Sequence, residues 1–270
     1  MIRTLLVVFT ISAGLSLAAL NFYGLTQSLR PEGLTADVLR FEENDLLLDK
    51  ESFKKGVERK HHENDKDYAT RLTVLISNGM AHVHWNDYHP DLFHQRVPIW
   101  ENYILYIIGR FSGNEEFKRY HFTIAEKSIE RGVGLCGDAS MLLSELLSDE
   151  GISNRIISMP GHVMVEANYG DAKQLLDPDF GVPLQQSFDF YINNLSELVR
   201  EYESFGFFNN GELMIRREIS EGSYTYWEGT SHFVTKKYYF ERISYWLKWL
   251  LPIVLIALGL ILRKKGKTIL

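Results

Sequence analysis

Gly134-Leu135-Cys136-Gly137-Asp138-Ala139 contains the only cysteine of the 270-residue chain. From Cys136 onward the sequence runs CGDASMLLSELL, with no proline and no interior β-branched residue. Cys136, Ala139, Leu143 and Leu147 recur at the spacing of one buried helical face. Asp138 falls in the first turn, where a negative charge is favourable, and Gly151 is the stop signal. The spacing therefore predicts a helix that begins at the cysteine, with its sulfur on the buried face.

Downstream, residues 154–159 (NRIISM) read as a short strand. HVMVEANY over 162–169 reads as a second, and Lys173 to Asp177 as its return. Gly170-Asp171 marks the turn between them, so the pair is an antiparallel hairpin. A turn centred there sets His162 opposite a residue in the range 177–179. Asp177 and Asp179 share one parity, and odd-sum registers place both on the face of His162. The register leaves the choice between the two acids open.

A thiol, an imidazole and a carboxylate are the parts of a thiol catalyst. The thiolate is the nucleophile, and a helix N-terminus or a neighbouring imidazolium favours it. A carboxylate orients the imidazole and stabilises its charged form. A lone cysteine is more often a small buried hydrophobe; the His and Asp at these spacings shift the reading to chemistry.

Gly134, Cys136, Asp138, Gly151, His162, Glu166, Asp177 and Pro178 together resemble the core motif of the transglutaminase-like superfamily of papain-like thiol enzymes. The resemblance covers residues 131–182. It implies an α+β fold, with the nucleophile helix packed on a small antiparallel sheet. It implies Cys136 as nucleophile, His162 as general base and acid, and Asp177 as the orienting carboxylate, with Asp179 the alternative. The family's oxyanion is held by a backbone N–H, here that of Cys136, and by an upstream donor, for which Trp85, Tyr120 and His121 are the candidates. No cofactor is implied.

The chain ends carry a second message. Residues 4–23 are uncharged and follow Arg3, long enough to span a bilayer. They read as a signal anchor or as a signal peptide with a small-residue cleavage site near Ala18 or Ala19. Near the other end, residues 249–262 (WLLPIVLIALGLIL) are uncharged, and the apolar run reaches back to Ile243 with Lys248 its one charge. Arg263, Lys264, Lys265 and Lys267 follow. The expected organisation is a membrane segment over 1–24, an extracytoplasmic domain over 25–242 with its core at 120–183, a transmembrane helix over 243–262, and a basic tail over 263–270. By the positive-inside rule the tail is cytoplasmic and the domain lies outside the inner or plasma membrane, periplasmic in a bacterium. Lys248 is expected to snorkel.

The chain has 29 basic and 35 acidic residues. Setting aside Arg3, Lys248, Arg263, Lys264, Lys265 and Lys267 leaves 23 basic residues against all 35 acidic ones, a poor footprint for nucleic acid. A structural disulfide framework would need an even set of cysteines. Residues 31–75 read as loops and exposed helix, and 99–111 as a buried helix. A further helix is expected over 188–203, with short strands over 223–227 and 231–235. His82, His84, His89 and His94 form a dense imidazole run, but no completing ligand spacing accompanies it, and no metal is expected there.

Two functions fit. One is a membrane-anchored enzyme acting on protein or peptide amide bonds by acyl transfer, deamidation or hydrolysis. The other is a non-catalytic accessory module that binds partner proteins of a membrane or envelope assembly, such as one handling surface polysaccharide.

Overall fold

The computed structural model describes residues 2–41, 45, 47–208 and 210–267, the side chains of 210–212 and 265–267 excepted. Residues 42–44 of the acidic run and 268–270 of the tail lie outside the described residues. In chain order the elements are α1 (Ile2–Gly24), α2 (Lys50–Gly56), α3 (Asp65–Gly79), α4 (Tyr103–Phe111), α5 (Glu115–Lys118), α6 (Ala125–Arg131) and α7 (Cys136–Asp149). There follow β1 (Ser153–Met159), β2 (His162–Asn168), β3 (Lys173–Asp177), β4 (Val182–Pro183), α8 (Phe188–Asn193), α9 (Leu195–Ser204), α10 (Asn210–Ser220), β5 (Thr225–Trp227), α11 (Thr230–Phe233) and α12 (Thr235–Lys267). The chain forms two bodies, one of residues 30–88 and 121–238, the other of 1–29, 89–120 and 239–270.

The first body is α+β. Its five strands form one antiparallel sheet in the order β4-β3-β2-β1-β5. Both faces are covered. Ile156, Val165, Ala167 and Leu176 join Leu72 and Ile76 of α3 and Ala139, Leu143 and Leu147 of α7 in one buried cluster. Ile157, Met164 and Leu175 join Phe188, Tyr191, Leu198, Tyr202 and Ile215 in another. Alternation along a strand sends Ile156 and Ile157 to opposite faces, which is why β1 carries adjacent isoleucines.

Three expectations are corrected by the fold. Residues 31–75 are not merely exposed: Asn64 caps α3 by accepting from the Asp67 N–H, and Tyr68, Leu72 and Ile76 on that helix are buried. At ~1.5–3 kcal/mol per fully buried aliphatic side chain, α3 is a structural member. The second correction concerns residues 231–235, which form no strand. The N–H groups of His232 and Phe233 turn back to the Gly229 carbonyl, and Gly229 sits at φ +74. The turn becomes α11, and Phe233 and His232 pack on the Trp227 ring. Their β-prone composition is overridden by this local closure. The helix expected over 188–203 is two helices, α8 and α9, broken at Asn194.

Between α2 and α3, Glu63 accepts from Arg71 Nε at 2.6 Å and Nη2 at 2.8 Å and from the Lys60 N–H at 3.0 Å. These contacts, the Arg71 bonds foremost, depress its carboxyl to about 2 against partial burial. A depressed carboxylate contributes stability that is complete above its unfolded value, near 4.3, and is lost as pH falls toward 2. Wild-type protein should therefore lose thermal stability between pH 4.5 and 2.5 more steeply than Glu63→Gln. Parallel melting curves for the two would refute this.

The other body holds two helices long and apolar enough to cross a membrane, α1 and the α12 segment Thr235–Lys264. They touch along small residues: a Cβ on Gly14 would stand 2.7 Å from Ile256 Cγ1 and 2.9 Å from the Pro252 carbonyl oxygen. Such close approach is how helices associate where no water drives them together. Pro252 lies inside α12 and has no N–H to give the Lys248 carbonyl. Asn21 Nδ2 at 2.6 Å and the Tyr103 hydroxyl at 2.9 Å donate to that carbonyl instead. Lys248 does not snorkel. It is 7 % exposed, and its ammonium donates to the Glu101 carbonyl at 2.5 Å. Residues 89–120 thus cluster with the terminal helices, and α4 buries Tyr103 and Leu105 while Ile107 and Phe111 stay exposed.

Candidate active site

Helix α7 begins at Cys136, where the sequence places it. Leu135 is its N-cap, extended at φ −126 and ψ 178, and a leucine side chain offers no acceptor to the first-turn N–H groups. The first-turn N–H groups therefore receive no side-chain acceptor from the N-cap residue. Only one half of a capping box is formed: Asp138 Oδ2 accepts from the Leu135 N–H at 2.9 Å. Asp138 is fully buried, with Arg131 Nη2 at 3.2 Å and His121 Nδ1 at 2.6 Å. Burial pushes its carboxyl up, but His121, Arg131 and the Leu135 N–H together bring it below the usual range. Trp85 stacks on His121 at 5.0 Å, and the Arg131 guanidinium lies over Trp85.

His162 opens β2 directly after a tight turn. Met159 pairs with His162, so Pro160 and Gly161 are the two residues between, and Gly161 takes φ +81. Proline first and a positive-φ glycine second is the order a type II turn requires. The β2–β3 register pairs Val165 with Leu176, so its continuation sets Met164 opposite Asp177 and puts His162 and Asp177 on one face. His162 Nε2 lies 2.7 Å from Asp177 Oδ2.

Asp177 is held from every side. Its Oδ1 accepts from the N–H groups of Asp179 and Phe180 at 3.1 and 3.2 Å, and its Oδ2 also accepts from the Tyr202 hydroxyl at 2.5 Å. Burial opposes charge on His162, but Asp177 and then Cys136 outweigh it and raise the imidazole well above its usual value. Burial and the neighbouring Asp177 raise the Tyr202 phenol well above its own. The half-buried Cys136 offers its Sγ within 4.8 Å of a His162 ring nitrogen and of an Asp179 oxygen. With Nε2 engaged by Asp177, Nδ1 is the nitrogen left for proton exchange with the sulfur.

Asp179 has a separate set of partners. Its Oδ1 stands 2.9 Å from His82 Nε2, out of line for a hydrogen bond, so this is a charge contact. His82 Nδ1 meets Asp45 Oδ1 at 3.1 Å, and the His82 N–H donates to Asp45 Oδ2 at 2.9 Å. Burial would lower the His82 imidazole, but Asp179 and Asp45 raise it to about 10. Asp179 is held below the usual carboxylate range by His82 and His162 against its burial. A cleft of about 300 Å³ opens here, lined by Phe41, Asp45, Ser77, Asn78, His82, Asp179, Phe180 and Phe207.

The structure therefore gathers Cys136, His162, Asp177 and Asp179 in one place. Trp85 and His121 gather around Asp138, two residues from the thiol. Tyr120 is buried elsewhere, its hydroxyl donating to Glu241 at 3.2 Å in the body of the terminal helices. His84 is exposed while His82 is buried, so the two do not face a common ligand. Sequence reasoning missed Asp45, His82 and Tyr202 as site residues. For His82 the dense run of histidines was the one signal in the sequence. Comparison with known proteins finds no matching family model, no similar curated protein and no similar solved structure.

Proposed function

We propose that this chain is a membrane-anchored thiol enzyme of the transglutaminase-like kind that acts on amide bonds of proteins or peptides. The observation that carries the reading is the buried His162–Asp177 contact with Cys136 beside the ring at the start of α7. In the first step the Cys136 sulfur attacks the amide carbonyl carbon and the carbonyl π electrons move onto oxygen. First-turn N–H groups of α7 are the donors suited to that oxyanion. The tetrahedral adduct collapses, the C–N bond breaks, and the His162 proton goes to the departing nitrogen. Water or an amine then loses its proton to His162 and attacks the thioester. The C–S bond breaks, the sulfur leaves as thiolate beside the protonated His162, and the starting pair is restored. Asp177 and Tyr202 hold the imidazole in register throughout.

The two apolar helices support anchoring, and the basic residues Arg263, Lys264, Lys265 and Lys267 at the end of α12 support a cytoplasmic tail with the catalytic body on the other side. The test is to present glutamine- and asparagine-containing peptides to the full-length chain in detergent. Ammonia release should be read together with intact mass. We expect a thioester on Cys136 that hydroxylamine removes, and none in Cys136→Ala. An unmodified wild-type Cys136 across such a library would move the reading to the accessory module.

A further inference from the structure

Thiol chemistry needs one carboxylate behind the imidazole, and Asp177 fills that place. Asp179 is a second buried acid, 5 % exposed, aimed at the same sulfur and ring. A carboxylate facing a thiolate is repulsive unless a cation stands between them. Among the described residues no aligned hydrogen bond reaches Asp179 Oδ1, even from His82.

We propose that Cys136 Sγ, a His162 ring nitrogen and an Asp179 oxygen form a binding site for one divalent transition-metal ion of zinc's character. That the ion would also block catalysis rests on the function proposed above; the binding itself does not.

Three features of the cluster point to a metal. First, the donors are one sulfur, one nitrogen and one oxygen, the set that zinc accepts, and all lie within 4.8 Å of one another. Bonds of about 2.0–2.3 Å put the edges of a tetrahedral site at roughly 3.3–3.7 Å, so the widest edge has to close by about 1 Å. Second, two of the three ligands are already braced from behind. His162 Nε2 has Asp177 at 2.7 Å, the carboxylate–histidine arrangement that fixes metal-bound imidazoles. Asp179 has His82, itself held by Asp45. Third, Asp45, Asp177 and Asp179 are all buried around two imidazoles and a thiol, and a divalent ion offsets that excess of acid. Cys136 is half-buried rather than enclosed, which leaves the fourth position open to water or an exchanging ligand.

The test uses the metal-free, full-length chain in detergent titrated with cobalt(II). One equivalent should produce a near-ultraviolet sulfur-to-cobalt charge-transfer band. Cys136→Ser should lack the band, and Asp179→Asn should bind at least ~10-fold more weakly. His89→Ala, which alters an exposed histidine, should bind as wild type does. On unmutated protein, one equivalent of zinc should slow alkylation of Cys136, and chelator should restore it. Absence of the band, or Asp179→Asn binding like wild type, overturns the site. Rapid alkylation that is indifferent to zinc overturns it too, while leaving the thiol reading intact. A cobalt band on a protein whose metal-free sulfur reacts sluggishly upholds the site and overturns the thiol reading.

Discussion

Replacing His162 by alanine is expected to slow iodoacetamide labelling of Cys136 about 30-fold at pH 7. An ordinary free thiol is only a few per cent thiolate at that pH. A sulfur that has passed its proton to an adjacent imidazole reacts wholly as thiolate. His162 is suited to keep that proton, since Asp177 and Cys136 raise it well above its usual value in spite of burial. The sign follows: below the raised value the imidazolium persists, so wild-type labelling should hold up between pH 8 and 6 while the variant's falls tenfold per unit. Asp177→Asn should give an intermediate rate, because the ring remains but loses the charge 2.7 Å from Nε2. Equal rates for wild type and His162→Ala across that range would mean that the sulfur and the ring do not exchange a proton.

Asp138→Ala is expected to cost about 3–5 kcal/mol of stability. The carboxylate is fully buried and is the countercharge of Arg131, which is also fully buried. Removing one member of such a pair strands the other charge in the interior. It also removes the acceptor for the Leu135 N–H at the start of α7. Asp138→Asn keeps an acceptor and should lose less. Thermal unfolding of the three proteins under one detergent condition measures the order; a melt for Asp138→Ala within two degrees of wild type would contradict it.

The local parts of this fold were legible because local rules determine them. Gly170-Asp171 at a turn centre sets an odd-sum register, and that register brings His162 and Asp177 to one face. The helix from Cys136 followed from its apolar spacing. What stayed hidden is tertiary. Asp45 sits in a run of acids that reads as solvated surface, and one of that run turns inward to His82. Tyr202 reaches Asp177 from a helix 25 residues away, and nothing in its own neighbourhood marks it. The choice between Asp177 and Asp179 depended on the turn beyond β3, where the Asp179 and Phe180 amides fold back onto Asp177. Residues 231–235 have strand composition, and the Gly229 turn overrides it.

The bond from Asn21 to the Lys248 carbonyl spans 227 residues. Ribosomes add about 5–20 residues per second, so the first helix is finished roughly 10–45 s before its partner is made. During that interval Gly14 has no neighbour to pack against, and the carbonyl freed by Pro252 does not yet exist. The terminal body is therefore the last part of the molecule to assemble. A nascent chain halted anywhere before the second helix carries an unpaired first helix, open in that interval to capture by other helices or by quality-control proteases.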